Sequence, residues 1–76
     1  MEIPKPVLGE ARTLVKQYGP RFSHLGERGG WDYYLFDFPE DVKTGYPFVY
    51  LYQEGHPAFE VTGSEALDII ASFGAE

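Results

Sequence analysis

Residues 31–38, WDYYLFDF, and residues 46–53, YPFVYLYQ, decide the fold of this chain. Both segments are rich in aromatic and β-branched side chains, which fit the pleated surface of a β-sheet. Nine of the thirteen aromatic residues lie between Trp31 and Tyr52. We therefore predict two strands here, joined by a long hairpin loop at residues 39–45.

Shorter strand signals flank this hairpin. Residues 54–55, Glu-Gly, suit a two-residue turn in which the glycine takes a positive φ. A third strand is therefore predicted at about residues 57–62. Counting outward from the turn places Tyr50 opposite Phe59. Residues 21–25 form a fourth and weaker strand candidate, which could equally be irregular.

The first helix is predicted from its periodicity and its ends. Pro6 suits the first helical turn, where a missing N–H costs nothing. Apolar residues then recur at spacings of three and four as far as Tyr18, which is the pattern of one buried stripe. Residues 19–20, Gly-Pro, end it, because proline excludes the preceding residue from helical geometry.

A second helix closes the chain. Thr62 and Glu65 have the spacing of a capping box, with Ser64 as the rival cap, and the helix ends at Gly74. We predict one α+β domain over residues 1–76, in the order α-β-β-β-α, or with four strands if the weak candidate forms. It is a two-layer fold, an antiparallel meander sheet packed against two helices. The expected core against one sheet face is Leu8, Ala11, Leu14, Val15, Leu67, Ile70 and Phe73.

The predicted strands are apolar on both faces. An antiparallel sheet with one wet face alternates apolar and polar residues, whereas residues 31–38 place large apolar side chains on both sides. Both helices could cover one face while tyrosines decorate the other, an apolar patch could remain for a partner, or one helix could cover each face.

Exposed apolar patches usually mark interfaces. We therefore predict a small non-enzymatic protein–protein interaction or regulatory module, which binds another protein or a second copy of itself through an aromatic sheet face. Tyrosine is favoured at binding hot spots, because it combines a large ring with a polar tip. The predicted partner-binding residues are Tyr33, Tyr34, Tyr50 and Tyr52.

Charge is unevenly distributed along the chain, whose formal net charge is −6. Residues 1–28 hold five basic and three acidic side chains, a net of +2, while residues 29–76 hold one basic and nine acidic, a net of −8. Arg12 and Lys16 share the solvent side of the first helix, where such a pair is usually just a solvated face. The acidic balance argues against nucleic-acid binding.

An alternative function follows from the same charge. An acidic inhibitor or nucleic-acid mimic, of the kind encoded by phages or toxin–antitoxin systems, would bind a basic protein partner through its carboxylates. The residues expected to carry this binding are Glu40, Asp41, Glu54 and Glu60.

No motif predicts catalysis, a cofactor or a metal site. His24 and His56 lie in separate turn-like segments without metal-ligand spacing, no serine or threonine has the context of a nucleophile elbow, and the chain has no cysteine. The first residues contain no apolar run of signal-peptide length, and neither end carries a lipidation motif. We expect a cytoplasmic protein with no membrane partner.

The predicted α-β-β-β-α order and the chain length resemble those of the double-stranded RNA-binding domain. That family binds through a basic cluster at the start of its last helix. The corresponding residues 63–68, GSEALD, contain two acids and no lysine or arginine. The resemblance covers the order of elements and no motif, and these carboxylates would repel phosphate, so no RNA binding is expected.

Overall fold

The two aromatic segments form the central strands of one antiparallel sheet. The computed structural model describes residues 2–42 and 45–74, so residues 43–44 of the predicted hairpin loop lie outside the described residues. The elements are α1 (Lys5–Glu10), α2 (Arg12–Tyr18), β1 (Phe22–Arg28), β2 (Trp31–Phe36), β3 (Val49–Tyr52), β4 (Phe59–Val61) and α3 (Ser64–Gly74). The four strands lie side by side in sequence order. The predicted α+β class, a meander with helices before and after it, is confirmed, and the weak strand candidate is a strand.

The first helix is interrupted at Ala11. This residue has a φ of −93° and a ψ of 12°, so it ends α1, and α2 begins at the next position. Gly9 lowers the helix propensity just before the break. Gly19, with a φ of +92°, ends α2 as predicted, and its N–H donates to the Val15 carbonyl over 2.7 Å.

One face of the sheet packs against α1 and α2. The buried cluster on this face consists of Val7, Ala11, Phe22, Tyr34, Phe36, Tyr50 and Ala58. The Phe22 and Phe36 rings meet edge to face with centroids 5.2 Å apart, and the Phe22 and Tyr50 rings do so at 6.0 Å. Such aromatic pairs add about 0.5–1.5 kcal/mol beyond their buried area.

The helix α3 covers the opposite face. The Phe73 ring lies 5.1 Å from the ring of Tyr33, which points away from Tyr34 because neighbouring strand residues alternate. Ala66 is fully buried, whereas Leu67 is 48% exposed. The arrangement is therefore one helical layer per face. The expectation that residues of both helices share one core is wrong, because the chain after β4 turns α3 to the other side.

The connection between β3 and β4 contains the predicted turn, but the strands beyond it pair in a different register. The His56 N–H donates to the Gln53 carbonyl over 3.0 Å across Glu54 and Gly55, and Gly55 has a φ of +83°. Phe59 nevertheless pairs with Leu51 rather than with Tyr50, a shift of one residue from the predicted register. A shift of one residue moves every side chain of β4 to the other face, so Phe59 lies on the face of α3.

The start of α3 also differs from the prediction. The Thr62 hydroxyl donates to the Pro47 carbonyl over 3.0 Å, and the described residues contain no hydrogen bond of a capping box between Thr62 and Glu65. The chain turns instead at Gly63, which has a φ of +76°. Thr62 therefore joins the end of β4 to the segment before β3.

The contact between α3 and β1 depends on Gly26. A bulge interrupts the pairing of β1 with β2 between His24 and Gly26, and Gly26 has a φ of +154°. A Cβ atom on Gly26 would lie only 2.7 Å from Cε1 of Phe73. The Arg28 guanidinium lies 4.0 Å from the centroid of the same ring and donates to the Ser72 carbonyl over 3.0 Å.

We predict that Gly26→Ala lowers the free energy of unfolding by about 1–3 kcal/mol, because the added methyl group displaces the Phe73 ring. The matched control is Gly9→Ala, at an exposed helical position where a Cβ meets nothing within 4 Å. This control should raise the free energy of unfolding by about 0.5–1 kcal/mol. Urea denaturation of the two variants measures both effects, and equal stabilities would contradict the close packing of α3 on β1.

Candidate partner-binding site

The four predicted partner-binding tyrosines do not share one exposed surface. Tyr50 is fully buried and Tyr34 is 7% exposed, both within the cluster under α1. Tyr52 is half-buried against the same cluster, while Tyr33 lies on the opposite face beside Phe73. Strand alternation separates Tyr33 from the other three. Tyr34 and Tyr50 have become core residues, so a partner cannot reach their rings in this fold.

Tyr50 is held in the core by its hydroxyl as well as by its ring. The hydroxyl donates to Oε2 of Glu60 over 2.8 Å, across the pair of strands β3 and β4. Burial, followed by this hydrogen bond, raises the pKa of Tyr50 well above its ordinary value. Burial also raises the pKa of Tyr34, with a smaller contribution from the charge of Asp32. Both tyrosines are therefore neutral when folded at ordinary pH.

The polar pairs near β1 do not converge into a reactive centre. Nε2 of His24 lies 3.1 Å from Oδ1 of Asp32, on the α1 side of the sheet. The Ser23 hydroxyl donates to Asp37 over 2.6 Å, and as the strand neighbour of His24 it points to the other face. The His56 ring lies beside the Trp31 ring, at the end of the sheet where the β3–β4 turn lies. In the described ranges no three histidine or acidic side chains form a group that could hold a metal ion.

Accessible rings remain at the end of the sheet where the β3–β4 turn lies. We call Trp31, His56 and Phe59 the aromatic patch, in which the Trp31 ring lies 5.7 Å from the His56 ring and 5.7 Å from the Phe59 ring. Phe59 is 50% exposed, His56 is exposed and Trp31 is half-buried. The patch is thus a cluster of rings that the rest of the described chain leaves partly open to water.

The position of α3 explains why the patch is open. Gly26, Tyr33, Leu51 and Phe59 form one row across the four strands on the α3 face. Phe73 covers the first two positions of this row, and Phe59 lies at its other end. In the described part of the chain β4 is an edge strand with no strand beyond it. The same end of the sheet is therefore open on its face and at its edge.

Sequence reasoning missed the aromatic patch because it set the hairpin register one residue off. That register placed Phe59 on the same sheet face as Tyr50, which is the face that α1 covers in the structure. The useful signal was the neighbouring pair Ala58 and Phe59. The small residue fits beneath a helix and is 5% exposed, so the large ring must point the other way.

Comparison with protein-family models, with curated proteins and with solved structures finds no match for this chain. Among the described residues, no helix has the length and apolar character needed to cross a bilayer.

Replacing Tyr50 with phenylalanine should lower the free energy of unfolding by about 1 kcal/mol near neutral pH, because the bond to Glu60 is lost while the ring stays. The raised pKa of Tyr50 also makes the free energy of unfolding depend on pH. Stability from the neutral tyrosine is complete below the ordinary pKa of 10.0. It is lost as pH rises from there towards the folded-state pKa, because only unfolded Tyr50 ionises.

Unfolding measured from pH 8 to 11 checks this dependence, since tyrosine in the unfolded chain titrates at about 10. The wild type should lose stability more steeply above pH 10 than Tyr50→Phe, and the slope that remains in the variant includes that of Tyr34. Glu60→Gln serves as a second variant that keeps an acceptor. Identical slopes in wild type and Tyr50→Phe would contradict the buried hydrogen bond.

Proposed function

We propose that this protein is a non-enzymatic interaction module of the cytoplasm that binds a partner protein through the aromatic patch. The observation that carries the proposal is the half-exposed ring of Phe59, on an edge strand and in contact with Trp31. A chain of 76 residues has few large side chains to spare from its core. Leaving such rings in water is more readily explained by a partner than by the fold.

The chemistry of the patch suits a protein surface. Tryptophan and other large rings supply much of the energy of interfaces, because they bury a large area with few rotatable bonds. Burying the exposed half of one phenylalanine contributes about 1 kcal/mol. Trp31 supports the Phe59 ring from within the chain, so part of the ordering that binding requires is already present.

The proposal keeps the predicted function and changes the residues that carry it. Tyr33 is half-buried and lies in the same cross-strand row as Phe59, so it borders the aromatic patch. Tyr52 remains a half-buried residue on the other face. The fully buried Tyr50 offers a partner no surface. Contact with Tyr33 at the border is compatible with the original hypothesis.

The separation of the histidines favours a binding role over a catalytic one. His24 is engaged with Asp32 on the α1 side, whereas His56 contacts Trp31 within the aromatic patch. General acid–base catalysis would need such groups within hydrogen-bond reach of one reacting atom. Here the two histidines lie in different surroundings. His24 forms a polar pair with Asp32, and His56 belongs to the ring cluster of the aromatic patch.

Phe59→Ser should weaken partner binding about fivefold, which corresponds to the loss of about 1 kcal/mol. The matched control is Tyr46→Ser, because Tyr46 is 51% exposed but lies outside the patch. Affinity capture with quantitative mass spectrometry, repeated with wild type and both variants, identifies the partner and compares its retention. Retention of the same partner by Phe59→Ser at the wild-type level would sink the proposal.

A second candidate function is the acidic inhibitor that binds a basic protein. It is favoured by the exposure of three of the four predicted carboxylates. Glu40, Asp41 and Glu54 are exposed, and none forms a salt bridge with a lysine or arginine in the described ranges. Glu60 is less suitable, because it accepts the hydrogen bond of Tyr50.

Salt distinguishes the two candidates. Binding through the aromatic patch should change little between low and high salt, whereas binding through carboxylates should weaken strongly, as surface charges are screened. Charge reversal at Glu40, Asp41 and Glu54 leaves the core untouched and should abolish only the second mode.

A further inference from the structure

A groove runs along the outer surface of the first two helices, away from the aromatic patch. Its volume is about 700 Å³, and it is lined by Leu8, Arg12, Thr13, Val15, Lys16 and Gln17. Leu8 and Val15 are half-buried, while the other four lining residues are exposed. The groove therefore combines an apolar row with a basic row on one helical surface.

The basic row of the groove forms no salt bridge with an acidic side chain in the part of the chain that the structure describes. The salt bridge found among the described residues joins His24 to Asp32, and neither Arg12 nor Lys16 takes part in one. The two cations are one helical turn apart, so they point the same way. An occupant with two carboxylates at similar spacing would satisfy both, and an apolar side chain next to them would cover Leu8 and Val15.

The outer surface of α3 has this complementary pattern. Glu65 and Asp68 are exposed and three positions apart, and α3 contains no lysine or arginine. Leu67 is 48% exposed, and Ala71 follows it one turn later, also exposed. An apolar row therefore runs beside an acidic row, which matches the apolar and basic rows of the groove.

We propose that α3 of one copy of this protein docks on the α1–α2 groove of a second copy. Leu67 then packs against Leu8 and Val15, and the carboxylates of α3 pair with Arg12 and Lys16. The occupant is a second copy because the chain itself presents both halves of the contact. The contact does not use the aromatic patch, so it is independent of the function proposed above.

The position of the two surfaces determines the form of the assembly. The groove and α3 lie on opposite faces of the sheet, so each copy uses one surface on each neighbour. Such a head-to-tail contact produces chains or rings of copies rather than a two-fold symmetric dimer. A contact made by one helix of 11 residues is small. Its buried area is smaller than the value of about 1,200 Å² at which stable interfaces begin. The association is therefore weak and depends on concentration.

Two charge-reversed variants test the contact. One carries Arg12→Glu and Lys16→Glu, and the other carries Glu65→Lys and Asp68→Lys. Each has like charges on both surfaces and should sediment as a monomer alone, whereas an equal mixture should associate again. Sedimentation velocity at concentrations up to about 1 mM suits a weak contact. The wild type should associate, and high salt should weaken it severalfold by screening the pairs.

Leu67→Ala provides a second variant, because it keeps the helix propensity of α3 and the charges. It should weaken association several-fold with an unchanged circular dichroism spectrum. This matters because lysines in the first turn oppose the helix dipole and could unfold α3 in the reversed variant. Phe59→Ser should associate as the wild type does, which separates this contact from the aromatic patch.

Several results would overturn the proposal. The wild type would stay monomeric at the highest concentration, or the mixture of charge-reversed variants would stay monomeric while both are folded. A loss of association in Phe59→Ser would also contradict it. A monomeric wild type whose Arg12 and Lys16 amide NMR signals shift on addition of poly-glutamate or duplex DNA would assign the groove to a different acidic ligand, and would also overturn the second-copy contact.

Discussion

The fold depends on the need to cover both faces of a sheet whose central strands are aromatic on either side. In β2, Tyr34 and Phe36 point to one face, and Tyr33 points to the other. A single helical layer would leave half of these rings in water, at a cost of about 25 cal/mol for each Å² of apolar surface. The chain instead places α1 and α2 on one face and α3 on the other.

The two layers are joined to the sheet by different means. The α1–α2 side is a continuous apolar cluster, at the edge of which the Tyr50 hydroxyl donates a hydrogen bond to Glu60. The α3 side depends on a close approach at Gly26, where Phe73 lies against the strand and Arg28 stacks over the ring. The Phe73 ring of α3 lies against Gly26 and Tyr33 at one end of the cross-strand row, while Phe59 at the other end is 50% exposed and belongs to the aromatic patch.

The tertiary arrangement also separates the charges. The helices α1 and α2, which contain three basic side chains and one acidic one, form the outer layer of one face, and α3, with two acidic side chains and no basic one, forms the layer of the other. A molecule with a net charge of −6 thus has one locally basic surface. Net charge alone hides this difference, because the field near a surface depends on where the charges lie. The aromatic patch and the charged layers are distinct surfaces, so one small domain can make two kinds of contact.

The sequence by itself determined the α+β class, the antiparallel meander, the helical ends of the chain and the apolar character of both sheet faces. These follow from local periodicity and composition, which act over a few residues. The end of the first helix at Gly19 was equally local. The break at Ala11 was not predicted, since Ala11 is fully suited to a helix by propensity.

Only the tertiary structure decided the hairpin register, the face that α3 covers and the residues left exposed. The predicted turn at Glu54 and Gly55 forms, but β3 and β4 pair one residue away from the register that it predicted, and one residue is enough to exchange the faces of β4. The Thr62 hydroxyl donates a hydrogen bond to the Pro47 carbonyl instead of capping the last helix. Tyr50 and Tyr34 entered the core, whereas Phe59 did not. The alternation of side chains along a strand does not show which face of the sheet a helix covers. Only long-range packing determines which face each helix covers.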